Sequence, residues 1–327
     1  MNIANVLKGL RSRQGSAKAI VISGDYGKTT TATLLKAILE GSGKRVSSIL
    51  LTGQMSANEL KDAIAVGRQE VEYSVIEVEP DLLQHKAVKG LRVDCLVLTT
   101  SVPVESWKSL SVQHLVAPED IKVSNYAVES YQRVAVGSTD KADARIEEVK
   151  LYRRGTEVVM IIDHQTRLEL AIGLSGQMAA RNLVTSVAAA YVLGIDVHTI
   201  QEAIADLEPL SGRFEYIGKV REVAVFIDRS VQDESRRLAI GSARELTKRR
   251  LIIGIDATTA SSQQLDEYEA MADRFITTSP GRDGSAASVK GMIERALRAG
   301  MKDDVVLLIA PDISRSSVIV DELEEKQ

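Results

Sequence analysis

AIVISGDYGKTTTATLL, Ala19 to Leu35, places a short β-branched run, a glycine-bearing turn and a segment of helical period in immediate succession. Ala19 to Ser23 reads as a buried strand. Thr31, Leu34, Leu35 and Ile38 fall at i, i+3, i+4 and i+7, which gives the following helix one apolar face. Between strand and helix lie Gly24, Asp25, Tyr26, Gly27, Lys28, Thr29 and Thr30. Glycines let main-chain N–H groups curl around phosphate oxygens, and the helix N-terminus adds partial positive charge. Lys28 supplies a point charge for the outer phosphates, and the Thr29 hydroxyl is placed to reach a magnesium ion. The turn is therefore expected to hold a nucleotide. It is a short GxxGKT form, because Ile22 stands where the longer GxxxxGK[ST] pattern has glycine. Gly41 is expected to end the helix as a left-handed cap.

Outward from that turn the same rhythm continues. RVSSILL (Arg45 to Leu51), YSVIEV (Tyr73 to Val78) and CLVLTT (Cys95 to Thr100) are further short apolar runs separated by longer segments, the pattern of a parallel sheet covered by helices. From about residue 132 to 172, RVAVGS, EVVMIID and RLELAI alternate around the turn signals RRGT and DHQT, which predicts an antiparallel excursion. Helices are expected over Ala179 to Leu193, closed by Gly194, and over Val197 to Leu207, before Pro209; SGRFEYIG then reads as a hinge. The α/β rhythm restarts at Val223 with VAVFID, LIIGID, RFITTS and VVLLIAP, separated by helices over Ser235 to Thr247, Gln264 to Ala272 and Ala286 to Ala299. The predicted fold class is α/β: a P-loop domain with a mainly parallel sheet over residues 1–217, and a smaller Rossmann-like C-terminal domain over 218–327.

The 327 residues are 44% hydrophobic and 26% charged, enough to bury a core and stay dissolved, which excludes a disordered tail or a stapled peptide. Forty-one basic against 45 acidic side chains give a charge of -4, no footprint for a nucleic-acid backbone. The single cysteine, Cys95 in DCLVLTT, reads as a buried small hydrophobe in a reducing, cytoplasmic setting. No apolar run approaches the ~18–20 residues that span a bilayer, and the N-terminus lacks a signal-peptide core. Ile3, Val6, Leu7 and Leu10 define a short amphipathic helix read as a docking element rather than a membrane anchor. His85, His114, His164 and His198 have no zinc-ligand spacing. Arg244, Lys248, Arg249 and Arg250 read as a solvated basic face at a helix end, and Trp107 as loop-borne hydrophobic filling.

GKTTTATLL running on from the short loop resembles the Mur ligase family, specifically its UDP-N-acetylmuramoyl-peptide synthetases. Further similarities follow in the same order. VIEV, Val75 to Val78, is similar to the strand whose glutamate holds magnesium, which would make Glu77 a metal ligand. LSGQMAARN, Leu174 to Asn182, resembles the segment whose second asparagine touches adenine, here Asn182. LSGRFE, Leu210 to Glu215, resembles the pre-hinge stretch whose arginine meets ATP phosphate, here Arg213, and VFID, Val225 to Asp228, the start of the stretch whose aspartate binds ribose, here Asp228. The family's carbamylated, metal-bridging lysine would correspond to Lys122 in PEDIKVSNY. The resemblance implies an ATP- and Mg2+-dependent ligase. A small-molecule or peptide-linked carboxylate would be activated as an acyl phosphate and captured by an amino-acid amine, in cell-wall peptide synthesis, with the C-terminal domain closing over the nucleotide.

The departures are equally specific. Only 23 residues precede Gly24, so the usual UDP-sugar domain is expected to be missing and a separate protein is a candidate to supply substrate binding. SVPVESW, Ser101 to Trp107, occupies the place of the family's second-metal histidine, with Glu105 as a substitute oxygen ligand or a surface carboxylate. DRSVQDE, ATTASS and APDIS replace the family's C-terminal motifs, and SPGRDGS, Ser279 to Ser285, is only loosely similar to its amino-acid-recognition loop. These losses leave a second expectation open, a non-catalytic ATP-binding partner or regulator derived from such a ligase.

Overall fold

The computed structural model describes residues 17–51, 71–83, 92–108, 110–121, 132–207, 213–282 and 285–319. The helix expected over Ile3 to Leu10, Lys122, His85 and the C-terminal tail lie outside them. Strand β1 (Lys18–Ser23) is central, parallel to β3 (Tyr73–Val78) on one side and β4 (Arg92–Leu98) on the other. Parallel pairing continues through β2 (Val46–Leu51) outside β3, and through β5 (Ser111–Pro118) and β6 (Gln132–Gly137) outside β4. The core of β1, β3 and β4 is nearly continuous in apolar residues, as sheets covered on both faces require.

The turn after β1 leads into α1 (Lys28–Gly41). Thr31, Leu34, Leu35 and Ile38 are all buried, as the periodicity predicts. The cap differs from expectation. The left-handed residue is Gly43 at φ +75°, whose N–H donates to Glu40 O, while Gly41 is the last helical residue. A Cβ at Gly41 would lie 2.5 Å from Ala203 Cβ, so glycine there permits close approach of the helix Val197–Ala205. Its smallness, not its torsional freedom, is what the packing uses.

The sheet is completed by β7 (Ala144–Tyr152), β8 (Gly155–Ile162) and β9 (Thr166–Ile172), giving the order β2-β3-β1-β4-β5-β6-β7-β8-β9. Links of two and three residues join these last strands, too short for a parallel crossover, so they form an antiparallel meander. The predicted excursion therefore begins one strand late: RVAVG belongs to β6, which runs parallel to β5. Helix α2 (Gln177–Val192) follows, with Gly194 beyond it at φ +89°. Helix α3 (Val197–Ala205) is capped by Asp196, whose carboxylate accepts from the Thr199 N–H.

The second sheet has the order β10-β11-β14-β12-β13, from β10 (Glu215–Val220), β11 (Val223–Asp228), β12 (Leu251–Ile255), β13 (Arg274–Thr277) and β14 (Val305–Ile309). Only β10 is antiparallel. Period-two alternation divides the strands between two apolar layers. Val225, Ile227, Ile252, Val306 and Leu308 pack with α6 (Val289–Ala299), whereas Phe226, Ile253, Ile255 and Leu307 pack with α4 (Asp233–Glu245) and α5 (Ser262–Ala270). This is the Rossmann-like arrangement. Helices α4 and α5 both start two residues before their expected positions; for α5 the start is set by a reciprocal capping box between Ser261 and Gln264.

Two compact units result. One comprises Met1–Glu148, Val158–Leu170 and Arg181–Leu207, the other Val149–Glu157, Ala171–Ala180 and Glu208–Gln327. Among the described residues no helix is long and apolar enough to cross a membrane.

Candidate nucleotide site

Two glycines shape the loop between β1 and α1. Gly24 has φ +144°, and a Cβ there would lie 2.2 Å from Thr99 Oγ1 and 3.0 Å from Thr100 N. Gly27, at φ +82°, caps α1 with no side-chain bond, and its carbonyl accepts from the Thr31 N–H. An L-side chain is disfavoured at both positions, so the loop depends on glycine. Thr99 and Thr100, just past β4, hold the loop from outside. Thr99 Oγ1 donates to the Tyr26 carbonyl, and the Asp25 N–H donates to Thr100 Oγ1 at 2.9 Å. By sequence, CLVLTT reads only as a strand. The available signal was a pair of hydroxyl residues just beyond a buried strand that neighbours the glycine loop.

Thr29 and Glu77, 48 residues apart, meet beneath this loop: Thr29 Oγ1 donates to Glu77 Oε2 at 2.9 Å. The parallel register puts Ile22 beside Glu77, so β3 delivers the carboxylate at the level where β1 turns into the loop. Glu77 and Lys28 are both buried. Lys28 Nζ donates to the Gly24 carbonyl at 2.6 Å and lies 3.4 Å from Glu79 Oε2. Glu79 is thus a further charged residue at the loop. The described donors are hydroxyl and carboxylate oxygens, hard ligands that suit Mg2+, which typically combines one or two protein oxygens with water and phosphate oxygens. The residues present fit a Mg2+–nucleotide phosphate group. Among the described residues no group of three or more His, Cys, Asp or Glu is gathered as an all-protein metal cage.

Asn182 lies on α2 and is buried; its carbonyl accepts from Ser186 Oγ, whose hydroxyl also bonds the Thr31 carbonyl, so this part of α2 is tied to α1. Trp107 is buried in a helical turn, Val104–Trp107, rather than carried on a loop, and Glu105 beside it is exposed. Cys95 is fully buried, and burial pushes its thiol far above the usual range. Among the other histidines, burial lowers the His114 pKa, while His164 and His198 lie beside Asp143 and Glu202.

In the other unit, Asp228 ends β11 and is buried. Its Oδ1 accepts from the Ser230 N–H at 2.7 Å and its Oδ2 from the Phe214 N–H at 2.8 Å. Burial raises the Asp228 pKa, against the bonds from Ser230 and Phe214 and the charge of Arg213, which lower it. Phe214 occupies φ +46°, an uncommon region for a bulky residue, held there by this bond and by stacking on Phe226 at 4.8 Å. Exposed Arg213 is thereby kept near Asp228. The basic run at the end of α4 is not merely solvated: Arg250 bonds the fully buried Asp304 at 2.6 Å, and Arg244 bonds Asp273 at 2.7 Å.

No family model matches the chain. Among curated proteins it is 26% identical over 273 residues to the UDP-N-acetylmuramoyl-L-alanyl-D-glutamate–2,6-diaminopimelate ligase of Syntrophomonas wolfei, covering 72% of this chain and 55% of that protein. It is 25% identical over 232 residues to the UDP-N-acetylmuramoylalanine–D-glutamate ligase of Streptococcus sanguinis, covering 65% and 48%. The chain thus spans about half the length of these relatives. Among solved structures, MurF ligase from Thermotoga maritima in complex with ADP superposes with a TM-score of 0.72 at 18% identity, covering 98% of this chain and 82% of that one. The corresponding D-alanyl-D-alanyl ligase from Acinetobacter baumannii gives 0.73 at 16% identity, covering 98% and 79%. In its curated relatives and in its fold the chain is thus similar to Mur ligases.

Proposed function

We propose that the protein is an ATP- and magnesium-dependent carboxylate–amine ligase acting in cell-wall peptide synthesis in the cytoplasm. The observation that carries the reading is the Thr29–Glu77 contact beneath a glycine-built loop whose lysine is buried. In such a reaction a carboxylate oxygen attacks the γ-phosphorus and ADP leaves; the amine then attacks the acyl carbon, loses a proton and expels phosphate. Bound Mg2+ would spread the charge of the transferring phosphoryl group.

The chain's own part is positioning. Gly24 to Thr30 present main-chain amides and the Lys28 ammonium to phosphate oxygens, while Thr29 and Glu77 supply metal-facing oxygens. Asn182 is assigned to adenine, Arg213 to phosphate and Asp228 to ribose. Arg213 retains an exposed guanidinium for that purpose. The Asp228 oxygens each accept one main-chain amide, which fixes the carboxylate's direction and leaves lone pairs for a further donor. The relatives' names point to a UDP-N-acetylmuramoyl peptide as carboxylate and an amino acid as amine. A separate protein supplying substrate binding remains part of the proposal.

Phosphate release measured with ATP, Mg2+, UDP-N-acetylmuramoyl peptides and an amino-acid panel tests it, with product mass as second readout. Release that requires both carboxylate and amine, with an amide product, is the expected result. Release independent of amine refutes ligation in favour of simple hydrolysis. A second reading, non-catalytic ATP binding, is favoured by the buried Trp107 turn and exposed Glu105 where the family places a histidine, and it predicts tight ATP binding without turnover.

A further inference from the structure

Glu79 has no part in the assignments above, yet it is the charged group at the loop's lysine. Lys28 Nζ faces three oxygens: the Gly24 carbonyl at 2.6 Å, the Asp25 carbonyl at 3.5 Å and Glu79 Oε2 at 3.4 Å. An ammonium has three protons, so these acceptors match its full donor capacity. A phosphate oxygen reaching Lys28 must take the place of one of them. The two carbonyls belong to the loop itself, pinned by Thr99 and Thr100. Glu79 differs. Its side chain is 44% exposed against 11% for that of Lys28, so it can turn to solvent at small cost. Its main chain stays in place, because its carbonyl accepts from the Leu82 N–H at 3.0 Å and Pro80 restrains the next residue.

Building on the proposed nucleotide site, we infer that Glu79 is an internal competitor of phosphate for Lys28, a positioning residue that makes nucleotide affinity depend on the divalent cation. Without a cation, incoming phosphate displaces a carboxylate from the lysine and meets its negative charge. With a cation bound beside Thr29 and Glu77, positive charge near the displaced carboxylate lessens that repulsion. Glu79 thus sets how much the cation improves binding, a property distinct from holding the cation.

The test is calorimetric titration of ATP into the full chain, wild type and Glu79→Gln, in EDTA and in Mg2+, with melting curves to verify folding. Glu79→Gln keeps the shape and removes the charge. It is expected to bind metal-free ATP about twofold to fivefold tighter, within the range that an exposed ion pair can supply, and to gain less from Mg2+ by about the same factor. Glu79→Asp, which keeps the charge, should restore most of the cation dependence; a purely structural role would not separate the two variants in this way. Wild-type binding of ATP with Glu79→Gln no tighter in EDTA overturns the inference alone. Failure of the wild type to bind ATP under either condition overturns the nucleotide-site reading and the inference with it.

Discussion

Replacing Gly24 by alanine would set a methyl group 2.2 Å from Thr99 Oγ1 and 3.0 Å from both the nitrogen and the hydroxyl oxygen of Thr100. Two costs combine. Holding a side chain at φ +144° costs about 1–3 kcal/mol. Relieving the contact requires the threonine pair or the loop to move, about 1–3 kcal/mol as for other overpacked sites. Gly24→Ala is therefore expected to destabilise its unit by about 3 kcal/mol and to weaken ADP binding, because the shift displaces the amides that would face phosphate. The contact component can be isolated. Thr99→Ala alone loses the bond to the Tyr26 carbonyl, about 0.5–1.5 kcal/mol, but in the double variant it also removes the obstructing oxygen. The double variant should cost less than the sum of the singles by about 1–2 kcal/mol. Urea denaturation followed by Trp107 fluorescence suits the measurement, since the chain has one tryptophan, fully buried in the same unit. A Gly24→Ala cost below about 1 kcal/mol, or strict additivity with Thr99→Ala, would refute the steric account of the loop.

Three further outcomes follow from the geometry. Lys28→Ala removes the ammonium held over the loop and should weaken ATP binding by at least about tenfold and abolish any phosphate release; unchanged calorimetric affinity would defeat the loop assignment. Glu77→Gln should raise the Mg2+ concentration needed for half-maximal nucleotide binding more than it reduces affinity at saturating Mg2+, and an unaltered magnesium titration would remove Glu77 from the site. Asp304 is fully buried; burial raises its pKa, but the bonds from Arg250 and Met301 and the charges of Arg250 and Arg249 outweigh it, so the group titrates below its ordinary 3.8. The stabilisation is complete above the unfolded value and lost as pH falls through the lower folded one. Asp304→Asn should cost about 1–3 kcal/mol near neutrality and flatten the acid limb in denaturation curves taken down to about pH 2; an unchanged acid limb would refute it.

Much of this molecule is written locally. Strand β1, the glycine turn and α1 are contiguous in sequence, and their signals are steric and periodic, so the 19–35 stretch could be read without a partner. The two-layer burial of β11, β12 and β14 follows equally from alternation of large apolar residues. The errors arose where a residue's role depends on a neighbour distant in sequence. Gly41 looks like a cap because a glycine ends a periodic run, but its smallness is used against Ala203, and Gly43 takes the left-handed torsion. RVAVGS alternates like an antiparallel strand, but hydrogen bonding to β5 decides its direction.

What the sequence alone determined is the α/β class, the glycine turn between β1 and α1 and the order of motifs, because each rests on torsion, period or residue type within a short span. Only the tertiary structure could bring Thr29 to Glu77, Thr99 and Thr100 to the loop, and Glu79 to Lys28, pairs separated by about fifty to seventy-five positions. Parallel register sets those meetings: β3 and β4 flank β1, so what ends those two strands gathers around what begins α1. Charge and hydroxyl groups in the chain do not encode that adjacency until the sheet's strand order is fixed.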